Sequence, residues 1–390
     1  MNIELGRAAR GLWQLREDGT FLNHGSYGAC PRSVLAEQER LRREMESHPD
    51  AFMRRIHPDG PEDRPRQVAA AMAEILGAPA GRIALVENAT TGVQAVLGSL
   101  PFAAGDQILI TDHQYNAVRL SVEARCRQTG AESRVVRIPL PTTPDEVLQR
   151  IVAAAGPRVK LAVLDHITSS TALVFPIAEL VEQLHARGIA VLVDGAHSLG
   201  QIPLAIDALG ADWYVTNAHK WLYAPKGSAL LCASASAAPL TRPVITSHYI
   251  DRGFPVSFDY VGTRDYTAWL SLPAALAFFH ELGPARLREH MARVVSTGTQ
   301  ALRAAGASSV APDTMSAAMR AFHLPQTRAA TDADAADLIR DLWNEERIQI
   351  RATTLSGQLL LRFCAQAYVD EEDVIRLGEV LQRRGWPARR

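Results

Sequence analysis

The chain has 390 residues, 41 basic against 42 acidic for a formal net charge of −1, and 47% of its residues are hydrophobic. At about 100–200 residues per domain this predicts two or three domains of an ordinary soluble globular protein, and the balanced charge excludes an electrostatic footprint for nucleic acid or an anionic membrane. Only three of the basic residues are lysine, Lys160, Lys220 and Lys226, so any chemistry that needs a lysine amine is confined to three side chains.

The opening run MNIELGRAARGLWQLREDG carries charges throughout and has no apolar core, so it does not read as a secretory leader. Cys30, Cys126, Cys232 and Cys364 lie far apart and form no CxxC pair. That argues against a disulfide framework or a thiolate metal site and fits a cytoplasmic protein. No stretch approaches the roughly 20 apolar residues of a membrane helix. Residues 31–46 and 62–77 have helical patterning, interrupted by the turn-rich His57–Pro61.

From there to about residue 232, β-branched runs alternate with helical segments. The expected strands are Arg82–Val86, Gln107–Thr111, Arg134–Ile138, Lys160–Asp165, Ile189–Asp194, Asp212–Thr216 and Ser228–Cys232, with amphipathic helices such as Pro144–Ala155 and Ile177–Arg187 between them. Strands apolar on both faces and separated by helices predict an α/β domain built on a mostly parallel seven-stranded sheet. The last two strands are joined by a loop, so the sheet is expected to be mixed. Helical patterns come next at roughly 268–281 and 284–305. Short strands at Met319–His323, Ile348–Arg351 and Leu359–Phe363 then alternate with helices near 332–344 and 371–384, which predicts a smaller C-terminal α+β domain.

In open α/β sheets ligands bind beyond the carboxyl ends of the strands, and the polar residues of this chain collect there. After the first strand, Glu87-Asn-Ala-Thr90-Thr91-Gly92 opens a helix. Its free N–H groups and dipole suit an anion, although a simple helix cap explains the same residues. A later strand ends in Asp194-Gly-Ala-His197, and a buried carboxylate is costly unless it meets a cation or several donors. Asn217-Ala-His219-Lys220 stands at another strand end; there a lysine in a partly apolar cleft loses amine basicity and gains reactivity towards carbonyls. Phosphate cradle, strand-end carboxylate and lysine are the parts that pyridoxal 5′-phosphate requires.

With Asp194-Gly-Ala-His197, Asn217-Ala-His-Lys220, Ala224-Pro-Lys-Gly227 and Gly262-Thr263, the sequence resembles the class V, cysteine desulfurase-like branch of fold-type I pyridoxal phosphate enzymes. Leu22-Asn-His-Gly-Ser-Tyr-Gly28, Gly262-Thr-Arg-Asp265 and Asp194–Leu199 are similar to the isopenicillin N epimerase-like subgroup. The resemblance implies an N-terminal segment, residues 1–20, packed on the small domain, a cofactor-binding large domain over 21–270 and a small domain over 271–390.

It further implies Lys220 as the Schiff-base lysine, Asp194 as partner of the pyridine nitrogen and His197 near the phenolic oxygen. Thr90, Thr91, Asn217 and His219 match phosphate-loop positions. Tyr115 stands where the desulfurases stack a histidine, and Ser169 where they carry an asparagine. Thr263 matches a residue that reaches the phosphate across a dimer interface, so a homodimer with active sites at that interface is implied. Arg362 matches the substrate-carboxylate arginine. His24 is a further candidate substrate contact, with a packing role open beside it, and Arg264 has the simple alternative of pairing with a neighbouring carboxylate.

Proton loss at Cα of an amino-acid substrate is the shared first step, and the fate of the charge left at Cα sets the reaction. Epimerisation leads on the subgroup resemblance, with Tyr115 or His24 as candidate second proton carriers. A β-lyase on a sulfur-containing amino acid and an aminotransferase are the alternatives. A desulfurase needs a cysteine on a mobile small-domain loop, and Ile348–Gln358 contains none. From outside the class, a nicotinamide dehydrogenase lacks its GxGxxG after an early strand. A non-catalytic relative is argued against by the intact Lys220, Asp194 and Arg362.

Overall fold

The structure is a computed structural model in which residues 3–384 are described; residues 1, 2 and 385–390, which belong to the expected terminal segments, lie outside the described residues. Two helices, α1 (Arg32–Ser47) and α2 (Arg64–Leu76), precede the large sheet, with a short helix Pro49–Arg54 between them. The sheet strands are β1 (Ile83–Val86), β2 (Gln107–Thr111), β3 (Glu132–Val136), β4 (Val159–Asp165), β5 (Ala190–Asp194), β6 (Trp213–Asn217) and β7 (Ala229–Ala233). Helices α3 (Ala89–Ser99), α4 (Asn116–Thr129), α5 (Pro144–Ala154) and α6 (Ile177–His185) fill the connections up to β5.

The strand order is β1-β7-β6-β5-β4-β2-β3, with β7 antiparallel to both neighbours and the other pairings parallel. The expected mixed, mostly parallel seven-stranded sheet is therefore present. Its two-sided burial comes from alternation along each strand. Leu161 and Val163 of β4, Ile108 and Ile110 of β2 and Leu192 of β5 pack with Val93, Val96, Val118 and Val122 of α3 and α4. The intervening Ala162, Leu164, Leu109, Val191 and Val193 belong to the core on the opposite face. Each such branched side chain, fully buried, contributes about 1.5–3 kcal/mol.

One expected strand shifts. β3 occupies Glu132–Val136 rather than Arg134–Ile138, because its ladder with β2 closes where the Asp112 amide donates to the Val136 carbonyl. The Ile138 amide instead donates to the Asp112 carboxylate at 2.9 Å. Helix α4 is not singled out by patterning. Its three arginines and a glutamate leave only a narrow buried stripe of Val118, Ser121, Val122 and Cys126.

The C-terminal part begins with α7 (Leu272–Leu282) and α8 (Pro284–Ala304), then strands β8 (Ser308–Ser309), β9 (Met319–His323), β10 (Arg351–Leu355) and β11 (Gln358–Cys364). Those strands form an antiparallel sheet in the order β10-β11-β9-β8, with α9 (Asp332–Glu346) and α10 (Glu371–Arg384) completing the layer. A capping box between Thr331 and Asp334 fixes the start of α9. The N-terminal segment lies on this part of the chain. The Gly6 amide donates to the Ala367 carbonyl, Arg7 pairs with Asp370, Glu372 and Asp373, and Thr20–Phe21 runs parallel to Ile348–Gln349. No described helix is long and apolar enough to cross a membrane.

Candidate active site

Parallel strands end on one edge, and β4, β5 and β6 deliver Asp165, Asp194 and Asn217 there as their last residues. A cavity of about 510 Å³ opens along this edge. Nine sequence-predicted residues line it together: Thr90, Thr91, Tyr115, Ser169, Asp194, His197, Asn217, His219 and Lys220.

Lys220 lies just past β6 in a loop whose backbone is gripped from several sides. The Ala218 amide donates to the Ser228 carbonyl, and the Ala224 amide to that of Ala218. A Cβ on Gly28, which has φ +71°, would sit 2.0 Å from the His219 carbonyl oxygen, so the N-terminal segment touches this loop backbone to backbone. The amine itself lies 3.1 Å from His197 Nε2. Trp221 Nε1, which can only donate, lies 3.3 Å from His197 Nδ1, so the neutral imidazole carries its proton on Nε2. That N–H faces the Lys220 amine, which can accept from it when unprotonated. Burial agrees with this assignment. It lowers the Lys220 amine from 10.5 to about 8, against the attraction of Asp194, and keeps His197 well below the usual imidazole range.

Asp194 is 3% exposed and accepts from the Ala196 amide at 3.0 Å. Burial raises its pKa, opposed by that hydrogen bond and by Lys220. The anion end is built by α3. Asn88 caps the helix by accepting from the Thr91 amide at 2.9 Å, while Asn217 at the end of β6 accepts from the Ala89 amide at 2.8 Å. Thr90 lies between these tied amides at the positive end of the helix dipole. His219 donates from Nδ1 to the Ser228 carbonyl at 3.1 Å, and burial lowers its pKa to about 4. Tyr115 is 48% exposed at the cavity wall. Its loop is anchored by His113, which bridges Thr171 Oγ1 and the Ile138 carbonyl at 2.8 Å each.

The other three predicted residues stand outside the lining. Arg362 is 2% exposed; it donates to the Ser169 carbonyl, to Asn23 Oδ1 at 3.0 Å and to Ser26 Oγ at 3.3 Å, and its Nε takes no acceptor. Among the described residues no carboxylate pairs with it. His24 sits behind the lysine loop, with Nε2 2.9 Å from the Lys220 carbonyl and Nδ1 2.7 Å from the Tyr368 hydroxyl. Both ring nitrogens are thereby occupied, and burial lowers the pKa to about 3. Thr263 is exposed, near the Tyr260 hydroxyl. Arg264 pairs with Glu87, which itself lines the cavity, and lies over the Trp269 ring at 4.0 Å.

Sequence reasoning passes over Asp165, Ser26 and Tyr27, all in the cavity wall. For Asp165 a signal exists: it closes a buried strand just as Asp194 does. Ser26 and Tyr27 sit within the Leu22–Gly28 run, but nothing local says that this run folds across the sheet edge.

The residues present fit pyridoxal phosphate, because one cavity joins a buried amine of lowered basicity, a buried carboxylate and the start of a helix with Thr90 at its positive end. Residues 60–377 match the aminotransferase class-V family, and the chain belongs to it as a pyridoxal phosphate-dependent enzyme. It is 33% identical to the isopenicillin N epimerase of Streptomyces clavuligerus, with 96% of each chain covered. It is 30% identical to a probable chloroplastic L-cysteine desulfhydrase of Arabidopsis thaliana, covering 92% of this chain and 82% of that one. Among solved structures, a cystine C–S lyase in complex with cysteine persulfide superposes with a TM-score of 0.80 at 23% identity, over 94% of this chain and 98% of that one.

Proposed function

We propose that the protein is an amino-acid epimerase acting at Cα, with Lys220 as the base and Asp194, His197, Thr90, Thr91, Asn217 and His219 holding the cofactor. The observation that carries Cα chemistry is the Lys220–His197 contact. It holds a buried amine whose pKa, lowered to about 8, leaves far more of it unprotonated and able to take a proton than an exposed lysine has at the same pH. Bound there, pyridoxal phosphate supplies an electron sink for the charge that develops at Cα. Arg362, buried and free of any carboxylate among the described residues, is poised to fix the substrate's α-carboxylate through its planar fork. A two-base epimerisation needs a proton carrier besides Lys220, and the cavity-wall phenol of Tyr115 fits that need better than His24, whose nitrogens are both engaged. End-to-end similarity to an isopenicillin N epimerase supports the same reading.

A second reading, β-elimination from a sulfur-containing amino acid, is favoured by the desulfhydrase relatives and needs only the Lys220 base. Desulfuration through a cysteine nucleophile finds no support, since all four cysteines are buried and burial raises the Cys364 thiol pKa. We further infer a homodimer in which Thr263 of one subunit completes the phosphate site of the other. Its exposure, away from its own subunit's cavity, supports this arrangement.

A panel of amino acids assayed by proton NMR in D₂O tests the assignment. Deuterium at Cα with inversion is the expected result. Pyruvate with ammonia release would replace the epimerase by the lyase.

A further inference from the structure

Asp165 has no part in holding cofactor or substrate as assigned, yet it is 2% exposed in the cavity wall. It pairs in register with Asp194 across β4 and β5, and neighbouring side chains on parallel strands in register share one face. Its Oδ2 is buried with no hydrogen-bond donor in reach. A buried carboxylate oxygen without a donor is costly, whereas a carboxylic acid beside a carboxylate is self-consistent, because the acid supplies the missing hydrogen.

We propose that Asp165 is a positioning residue for Asp194, the two carboxyls holding one proton between them so that a single negative charge faces the cavity from this edge. The inference rests on reading Asp194 as the partner of the cofactor's ring nitrogen. Charge count supports it. Lys220, which acts on both carboxyls, offers them a single positive charge while its amine is protonated and none once it is unprotonated. Two ionised carboxylates would then face at most one positive ring nitrogen, and one shared proton restores the balance. Burial first, and the Asp194 charge second, push Asp165 in the same direction.

Infrared spectra of the apoprotein, wild type minus Asp165→Asn, are expected to show a protonated carboxyl C=O band at pH 7. Its absence overturns the proposal whatever reaction the enzyme catalyses. Affinity of the apoprotein for pyridoxal phosphate, measured by fluorescence quenching, separates charge from hydrogen bonding. Asp165→Asn keeps a neutral donor and should bind within about threefold of wild type, while Asp165→Leu leaves Asp194 without its donor and should bind about tenfold more weakly or worse. An Asn variant as weak as the Leu variant, or a Leu variant as tight as wild type, overturns it. Should the Leu variant fail to fold, the infrared band and the Asn variant decide.

Discussion

At the scale of single residues, the paired states of Lys220 and His197 yield a signed pH dependence. Only the unprotonated amine attacks the cofactor's aldehyde, and burial lowers its pKa from 10.5 to about 8. The rate of cofactor capture by the apoprotein should therefore rise about tenfold per pH unit below pH 8 and level off above it, as stopped-flow absorbance would record. Substituting Lys220→Ala should abolish the visible band that borohydride removes from wild type. Exposed Lys160→Ala and Lys226→Ala should leave it unchanged. Arg362→Lys keeps the charge and loses the fork; KM should rise roughly 10–100-fold with cofactor affinity held, a split that steady-state kinetics and titration resolve.

At the scale of elements, the lysine loop is held from behind by the N-terminal segment. Gly28→Ala would drive a Cβ into the His219 carbonyl from a backbone conformation that disfavours it, so cofactor affinity should fall together with thermal stability. His24 joins the same segment to the loop and to Tyr368. Its pKa is lowered to about 3 in the fold, so the unfolded chain binds the extra proton once pH drops below about 6.5. Wild type consequently loses this contribution as pH falls from 6.5 towards 3, and a His24→Gln variant has none to lose. The Tm deficit of His24→Gln should shrink between pH 7 and pH 5, which calorimetry of both proteins checks.

At the scale of the whole molecule, the sheet edge supplies the carboxylates and the lysine loop, while β11 brings Arg362 up from the C-terminal sheet. The site is thus assembled from segments more than 300 residues apart, with Asn23 and Ser26 meeting Arg362. Exposed Tyr27, Val244 and Ile245 lie on the surface of the single chain, at 76%, 58% and 53% exposure. In the homodimer proposed above, such side chains are candidates for cover by the second subunit. Light scattering should return a dimer, and Thr263→Arg should weaken cofactor binding although Thr263 lies outside its own subunit's cavity.

Much of the fold and site is legible in the chain itself. Alternating apolar strands and helices determined the mixed, mostly parallel sheet, because a strand buried on both faces leaves a continuous β-branched run. Chemistry at strand ends singled out Lys220, Asp194 and the start of α3 as candidates, since buried charge needs a reason that local sequence displays, and the fold brings them to one cavity. Scarcity of lysine narrowed the amine to three positions. Tertiary structure alone decided the rest. Sequence marks Asp165 as a strand end but cannot say that it stands in register with Asp194, because register is a relation between strands. Nor can it say that His24 faces Tyr368 and the lysine loop rather than a substrate. The partners that fix a proton on one nitrogen lie 196 and 344 residues away, and only the folded chain brings them within 3 Å.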